Sequence, residues 1–161
     1  MSFLAAIQSG FRNYVKFRGR ASRSEYWWFF LFTVLLQTVT SSIDENLGNL
    51  AGLVVFLPGL AVQVRRLHDT GRSGWWVGAF YASIGVLIVA VVTLIIDAAI
   101  DFDELTGGDF LGDNVSGGSA AFLGIAAIGV LVLFVVNVVF LCQRGQAAEN
   151  RFGPPPPPRT V

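Results

Sequence analysis

The sequence predicts an all-α fold, a four-helix transmembrane bundle with an amphipathic N-terminal interfacial helix, and three observations carry that prediction. Of the 161 residues, 53% are hydrophobic and only 14% are charged, which is too apolar and too sparsely charged for an ordinary soluble domain. The charges leave four long uncharged runs, at 26–43, 47–64, 75–96 and 120–142. What charge there is sorts by sign into alternate connections. A helix rises about 1.5 Å per residue, so roughly 20 residues cross a hydrocarbon core of about 30 Å.

Phe3, Leu4, Ile7, Phe11, Tyr14 and Val15 recur at spacings of three and four, with Gln8, Arg12, Asn13 and Lys16 mostly elsewhere. That pattern predicts an amphipathic helix, either lying in the headgroup layer or packed on the cytosolic face of the bundle. The segment lacks the continuous apolar core and small-residue cleavage site of a secretory signal.

The first span opens at Ser22-Arg23-Ser24-Glu25, the spacing of a capping box: Ser22 accepts from the Glu25 backbone N–H and the Glu25 carboxylate returns to the Ser22 backbone. Tyr26, Trp27, Trp28 and Phe29 follow, and Trp75 and Trp76 open the third span after a Gly71-Arg72-Ser73-Gly74 turn. Amphipathic rings favour the interfacial layer, so the four tryptophans mark one cytosolic depth. Gln37, Thr38, Thr40, Ser41 and Ser42 thin the first span, while Pro58 and Gly59 interrupt the second, where a kinked helix or a re-entrant segment is expected. Gly48 with Gly52, and Gly74 with Gly78, have the four-residue spacing that lets helices approach closely.

Between the third and fourth spans, 97–119 reads as an acidic, glycine-rich outer loop. Asp101 and Asp103 match the first two ligand positions of a calcium-binding EF-hand loop, but Leu105 and Thr106 occupy the third ligand and glycine positions, so a solvated loop is expected instead. The single Cys142 closes the fourth span and has no internal partner for a disulfide. Residues 1–153 form one integral membrane domain, because no piece outside the spans is long enough to fold alone. Residues 154–161 are a proline-rich tail expected to extend as polyproline, as a partner handle or a disordered end.

All 11 basic residues lie in three groups: Arg12, Lys16, Arg18, Arg20 and Arg23 before the first span; Arg65, Arg66 and Arg72 between the second and third; and Arg144, Arg151 and Arg159 after the fourth. The other two connections hold eight of the 11 acids. Basic loops stay cytoplasmic, so both termini and the middle connection are expected on that side. With the two signs in balance, net charge makes no case for a nucleic-acid partner.

Three segments carry a resemblance. Phe17, Gly19, Arg20, Arg23, Glu25, Tyr26 and Trp27 spell F-x-G-R-x-x-R-x-E-Y-W. Residues 65–76 spell R-R-L-H-D-x-G-x-S-G-W-W, and Asn150, Phe152, Gly153 and Pro156 spell N-x-[FY]-G-x-x-P. In this order they resemble the signatures of domain of unknown function 805, a group of small bacterial inner-membrane proteins. The resemblance implies a polytopic protein of the bacterial inner membrane with cytoplasmic signature loops, and brings no established activity with it. The 97–119 insertion and the Pro154–Pro158 run depart from the commoner pattern of that group.

The candidate site is the cluster these segments bring to one end of the helices: Arg20, Arg23, Glu25, Arg65, Arg66, His68, Asp69 and Arg72. In one reading the arginines pair with Glu25 and Asp69 in a structural cap, with His68 as a hydrogen-bonding corner. In another, five arginines facing two carboxylates leave charge for an anionic phospholipid headgroup or another phosphate, at about 1 kcal/mol per basic residue near a membrane surface. His68 and Asp69 suggest a general base and its partner, yet no nucleophile or second histidine completes a catalytic site. The span interiors offer only neutral Gln37, Gln63 and Asn137, so no ion-coupled transport path is legible. No metal-ligand pair, cofactor fingerprint or catalytic triad is present in the sequence. The expected role is therefore a non-enzymatic membrane interaction or scaffold protein whose partners are the lipid bilayer and, through the cap, anionic lipid. A homo-oligomer or a membrane-protein partner fits the same pattern. The alternatives are a membrane enzyme acting on a phosphorylated headgroup and an oligomeric channel or transporter.

Overall fold

The computed structural model describes residues 1–107 and 117–156, the side chains of 100–107 and 117 excepted. The expected all-α fold is present as five helices: α1 (Phe3–Arg12), α2 (Arg23–Ile43), α3 (Glu45–Asp69), α4 (Trp75–Gly107) and α5 (Gly117–Cys142). The last four are each long and apolar enough to cross a membrane. Contacts divide the chain into two compact units, Met1–Val77 with Val138–Val161, and Gly78–Asn137.

In the first unit, α1 is capped by Ser2, whose hydroxyl accepts from Ala5 N. Its apolar face packs on α2, with Phe3 edge-on to Trp28 and Phe11 edge-on to Phe29 and Phe32. Gly10 permits this, because a Cβ there would overlap the Phe29 ring. Helix α1 thus packs on α2, with Leu4 on its opposite side exposed. The helix stops at Arg12, short of the periodic pattern, so Tyr14 and Val15 lie in the chain that follows.

Helix α2 begins where its cap predicts, with Ser22 Oγ accepting from Glu25 N at 3.2 Å. The returning half of the capping box is replaced: the Glu25 carboxylate turns inward, accepting from Ser9 Oγ at 2.8 Å and Arg65 Nη2 at 3.3 Å. A charged donor in a buried site outcompetes a single backbone N–H for that carboxylate.

A single extended residue, Asp44, joins α2 to α3. Its N–H donates to Thr40 O, and its carboxylate caps α3 by accepting from Leu47 N at 3.0 Å. The two helices cross closely where a Cβ on Gly48 would overlap Ser41 and one on Gly52 would sit 2.9 Å from Gln37 Oε1. Helix α3 runs without a break through the buried Pro58, so the re-entrant alternative is excluded. It also continues to Asp69, which places Arg65, Arg66, His68 and Asp69 on its last turns rather than in a loop. Gly71, at φ +79°, then turns the chain away.

In the second unit, Phe80 of α4 meets Phe134 of α5 at a centroid distance of 6.1 Å. The hydroxyls of Ser83 and Thr93 donate to carbonyls three residues back, as polar groups facing hydrocarbon must. Helix α4 runs past the expected end of its span to Gly107, because no glycine or proline interrupts the Ala- and Leu-bearing stretch before it. That corrects the expected 97–119 loop over 97–107, and the start of α5 at Gly117 corrects it over 117–119. The EF-hand positions fall on side chains outside the described residues, as do Pro157 and Pro158 of the tail. Along α2 to α5 large apolar side chains stand exposed, among them Leu53, Ile95, Ile125 and Leu131, a surface suited to lipid and costly in water.

Candidate functional site

The site lies within the first unit, where the C-terminal end of α3 meets the 13–22 connection, the start of α2 and residues 143–156, which follow α5. Asp69 is its centre. One oxygen, Oδ1, accepts from Arg20 Nε at 2.9 Å and Nη2 at 2.8 Å, and the other, Oδ2, accepts from Arg66 Nη1. Arg66 is completely buried, and its remaining donors go to the carbonyls of Leu141 (3.1 Å) and Gln143. Arg20 likewise donates to the carbonyls of Gln146, Ala148 (2.8 Å) and Gly153 (3.3 Å). Two guanidiniums thus hold residues 143–153, a strap that follows α5, down on α3 by their backbone. Donation to several carbonyls uses the planar fork of arginine and would be lost with lysine.

Arg65 organises the opposite side. It is buried, pairs with Glu25, and donates through Nη1 to the carbonyls of Asn13 (3.2 Å) and Lys16 (2.9 Å). The Arg65 carbonyl in turn accepts from Ala21 N at 3.0 Å. The 13–21 connection is therefore tied to α3 from both of its ends. Each buried guanidinium faces a carboxylate, which is the condition under which burying such charges is tolerable.

His68 stands between the connection and the strap. Its Nδ1 lies 3.2 Å from the Gly19 carbonyl, an acceptor, so Nδ1 carries the proton. The imidazole lies flat on Phe152, with centroids 3.8 Å apart and planes 4° apart. Asn150 fixes that phenyl ring: its Nδ2 donates to His68 O at 3.0 Å and its Oδ1 accepts from Phe152 N at 2.9 Å. Gly145 completes the fit, because a Cβ there would overlap Asp69 Oδ2.

Arg23 and Arg72 are placed differently from the other arginines. Arg23 is exposed and reaches only the Cys142 carbonyl, at 3.5 Å. Arg72 lies over the Phe140 ring, 3.8 Å from its centroid. Of the eight residues singled out from sequence, Arg20, Glu25, Arg65, Arg66, His68 and Asp69 therefore share one network, while Arg23 and Arg72 flank it.

A cleft of about 1160 Å³ opens beside this network, lined by Ser9 and Asn13 of the N-terminal segment, by residues Lys16, Arg18, Ser22, Arg23 and Ser24, and by Glu25 and Asp69 together with Arg20, Arg65 and Arg66. Sequence reasoning missed Lys16 and Arg18 as lining residues, although both flank the first signature. It also missed Ser9, whose bond to Glu25 no local pattern announces, and the seating of Phe152 on His68. Among the described residues no three His, Cys, Asp or Glu side chains converge as metal ligands would.

A family model described as "Protein of unknown function (DUF805)" matches residues 14–154. The chain is 34% identical over 156 residues to the inner membrane protein YhaH of Escherichia coli K12, covering 90% of each chain. It is 43% identical over 88 residues to the inner membrane protein YhaI of the same strain, covering 50% of this chain and 75% of that protein. No solved structure matches. These relatives and the four apolar helices make this a multi-pass protein of the inner membrane. The three segments that carried the resemblance coincide with the network: Arg20 and Glu25 come from the first, Arg65, Arg66, His68 and Asp69 from the second, Asn150 and Phe152 from the third. The chain belongs to the DUF805 family of inner-membrane proteins.

Proposed function

We propose that the protein is a non-enzymatic membrane interaction or scaffold protein whose cap engages anionic lipid headgroups at the cytoplasmic surface, with both termini on that side. The observation that carries this reading is how charge is divided within the cap. Glu25 and Asp69 are already matched by Arg65, Arg20 and Arg66. Lys16, Arg18 and Arg23 are exposed and make no ion pair among the described residues. The cap therefore carries a positive surplus where the helices enter the membrane, and each such cation near an anionic surface contributes about 1 kcal/mol. The buried arginines build the cap; the exposed cations are its binding face. His68 supports a structural role, since one nitrogen is committed to Gly19 and its ring face to Phe152.

The test is the lipid content of the protein reconstituted in nanodiscs of mixed phosphatidylethanolamine and phosphatidylglycerol and then re-extracted. The wild type should carry over phosphatidylglycerol in excess of its share of the mixture, and the triple variant Lys16→Ala, Arg18→Ala, Arg23→Ala should not. A wild type that carries over lipid in the proportions supplied contradicts the proposal.

A further inference from the structure

We infer that the cleft between α1 and residues 16–24 is a binding site for a single phosphomonoester group, carried by a lipid headgroup or by a small soluble anion. The inference rests on the headgroup reading above and deepens it from surface attraction to a defined pocket.

Three features of the cleft point to this ligand. First, its unmatched cations are grouped: Lys16, Arg18 and Arg23 all line the same cavity. A phosphomonoester approaches two negative charges near neutral pH, whereas a diester carries one, so a set of three cations favours the monoester. Second, the carboxylates in the lining do not repel an anion. The carboxylates of Glu25 and Asp69 are covered by Arg65, Arg20 and Arg66, so their charge is spent inside the protein. Third, the wall supplies a neutral donor. Ser22 Oγ and Ser24 Oγ lie 3.1 Å apart, so one hydroxyl donates to the other. Ser22 Oγ also accepts from Glu25 N and Ser24 Oγ from the Met1 ammonium, so one hydroxyl proton of the pair is left without a protein acceptor, on residues that line the cleft. The first turn of α2, on which Arg23 and Ser24 sit, adds the positive end of a helix dipole.

The volume of about 1160 Å³ exceeds what a bare phosphate needs and accommodates a glycerol phosphate. Exposed Trp27 and Trp28 follow directly on α2, amphipathic rings suited to the headgroup level, where acyl chains would begin.

The experiment is native mass spectrometry of the full chain in detergent with phosphatidic acid, phosphatidylglycerol or glycerol 3-phosphate added at equal concentration. Beside the wild type stand Arg18→Ala with Arg23→Ala, the charge-preserving Arg18→Lys with Arg23→Lys, and Arg144→Ala, an exposed cation outside the cleft. The wild type should retain one phosphatidic acid at tenfold or greater preference over phosphatidylglycerol. The double alanine variant should lose that retention at least tenfold while keeping the wild-type melting temperature. The lysine pair should restore part of it, and Arg144→Ala should match the wild type. If glycerol 3-phosphate binds with the same sensitivity to the variants and displaces the lipid, the phosphomonoester comes from a soluble molecule. Phosphatidic acid and phosphatidylglycerol retained equally, or a preference that survives the double alanine variant, overturns the pocket while leaving general headgroup attraction standing. Retention of no anion at all overturns both.

Discussion

The hydroxyl of Tyr14 donates a 2.6 Å hydrogen bond to the carbonyl of Val54. That carbonyl is four residues before Pro58, so it is the acceptor whose helical N–H proline lacks. The connection after α1 thus supplies from outside the hydrogen bond that α3 cannot make for itself, in a helix for which the sequence suggested a kink or a re-entrant segment and which stays continuous.

Replacing Tyr14 by Phe removes only this bond. With that carbonyl deprived of its partner, unfolding in detergent should become easier by about 0.5–1.5 kcal/mol, the net worth of one hydrogen bond. A Tyr14→Phe, Pro58→Ala double variant should recover most of the loss, because alanine restores the helical donor. The comparison of melting temperatures across the two variants checks it.

Asp69→Asn should destabilise far more than the loss of an exposed pair. Two buried guanidiniums, Arg20 and Arg66, would be left without their counter-charge, at a cost of about 3–5 kcal/mol. The strap they hold should loosen with them, so limited proteolysis within residues 143–156 should become markedly faster than in the wild type.

Glycine substitutions should divide by position. Gly145→Ala should release the strap, since its Cβ would overlap Asp69 Oδ2, and Gly71→Ala should destabilise through both its positive φ and a 2.6 Å approach to Gln146 Nε2. Gly59→Ala meets nothing within 4 Å in mid-helix and should be neutral or stabilising by up to about 1 kcal/mol. Thermal unfolding of the three variants separates these outcomes.

The stacked pair should show direct coupling. His68→Ala and Phe152→Ala should each lower stability, and the double variant should cost less than the two separately by about 1 kcal/mol, the order expected for an aromatic pair. Strict additivity would mean that the rings do not support one another.

How much of this was legible in sequence follows from the range of each interaction. The four spans, the Ser22 cap and the residues of the cap cluster are written in local pattern: run length, spacing and the segregation of charge. What escaped depended on partners far along the chain. Glu25 abandons its capping return because Ser9 and Arg65 reach it from elsewhere, and the Val54 carbonyl that Pro58 leaves without a helical donor is met by Tyr14. The surplus of arginine was countable, but not which members are buried. Backbone carbonyls of the strap consume the donors of Arg20 and Arg66, and carbonyls have no sequence signature.

In the proposed reading, buried arginines build the cap and exposed cations bind anionic lipid at it. The lipid-induced shift in melting temperature tests it most directly, because a ligand stabilises only the folded state that binds it. With Lys16, Arg18 and Arg23 all replaced by Ala, the protein should melt at the wild-type temperature without lipid and show none of the upward shift that anionic lipid gives the wild type. An undiminished shift in that variant would contradict the account.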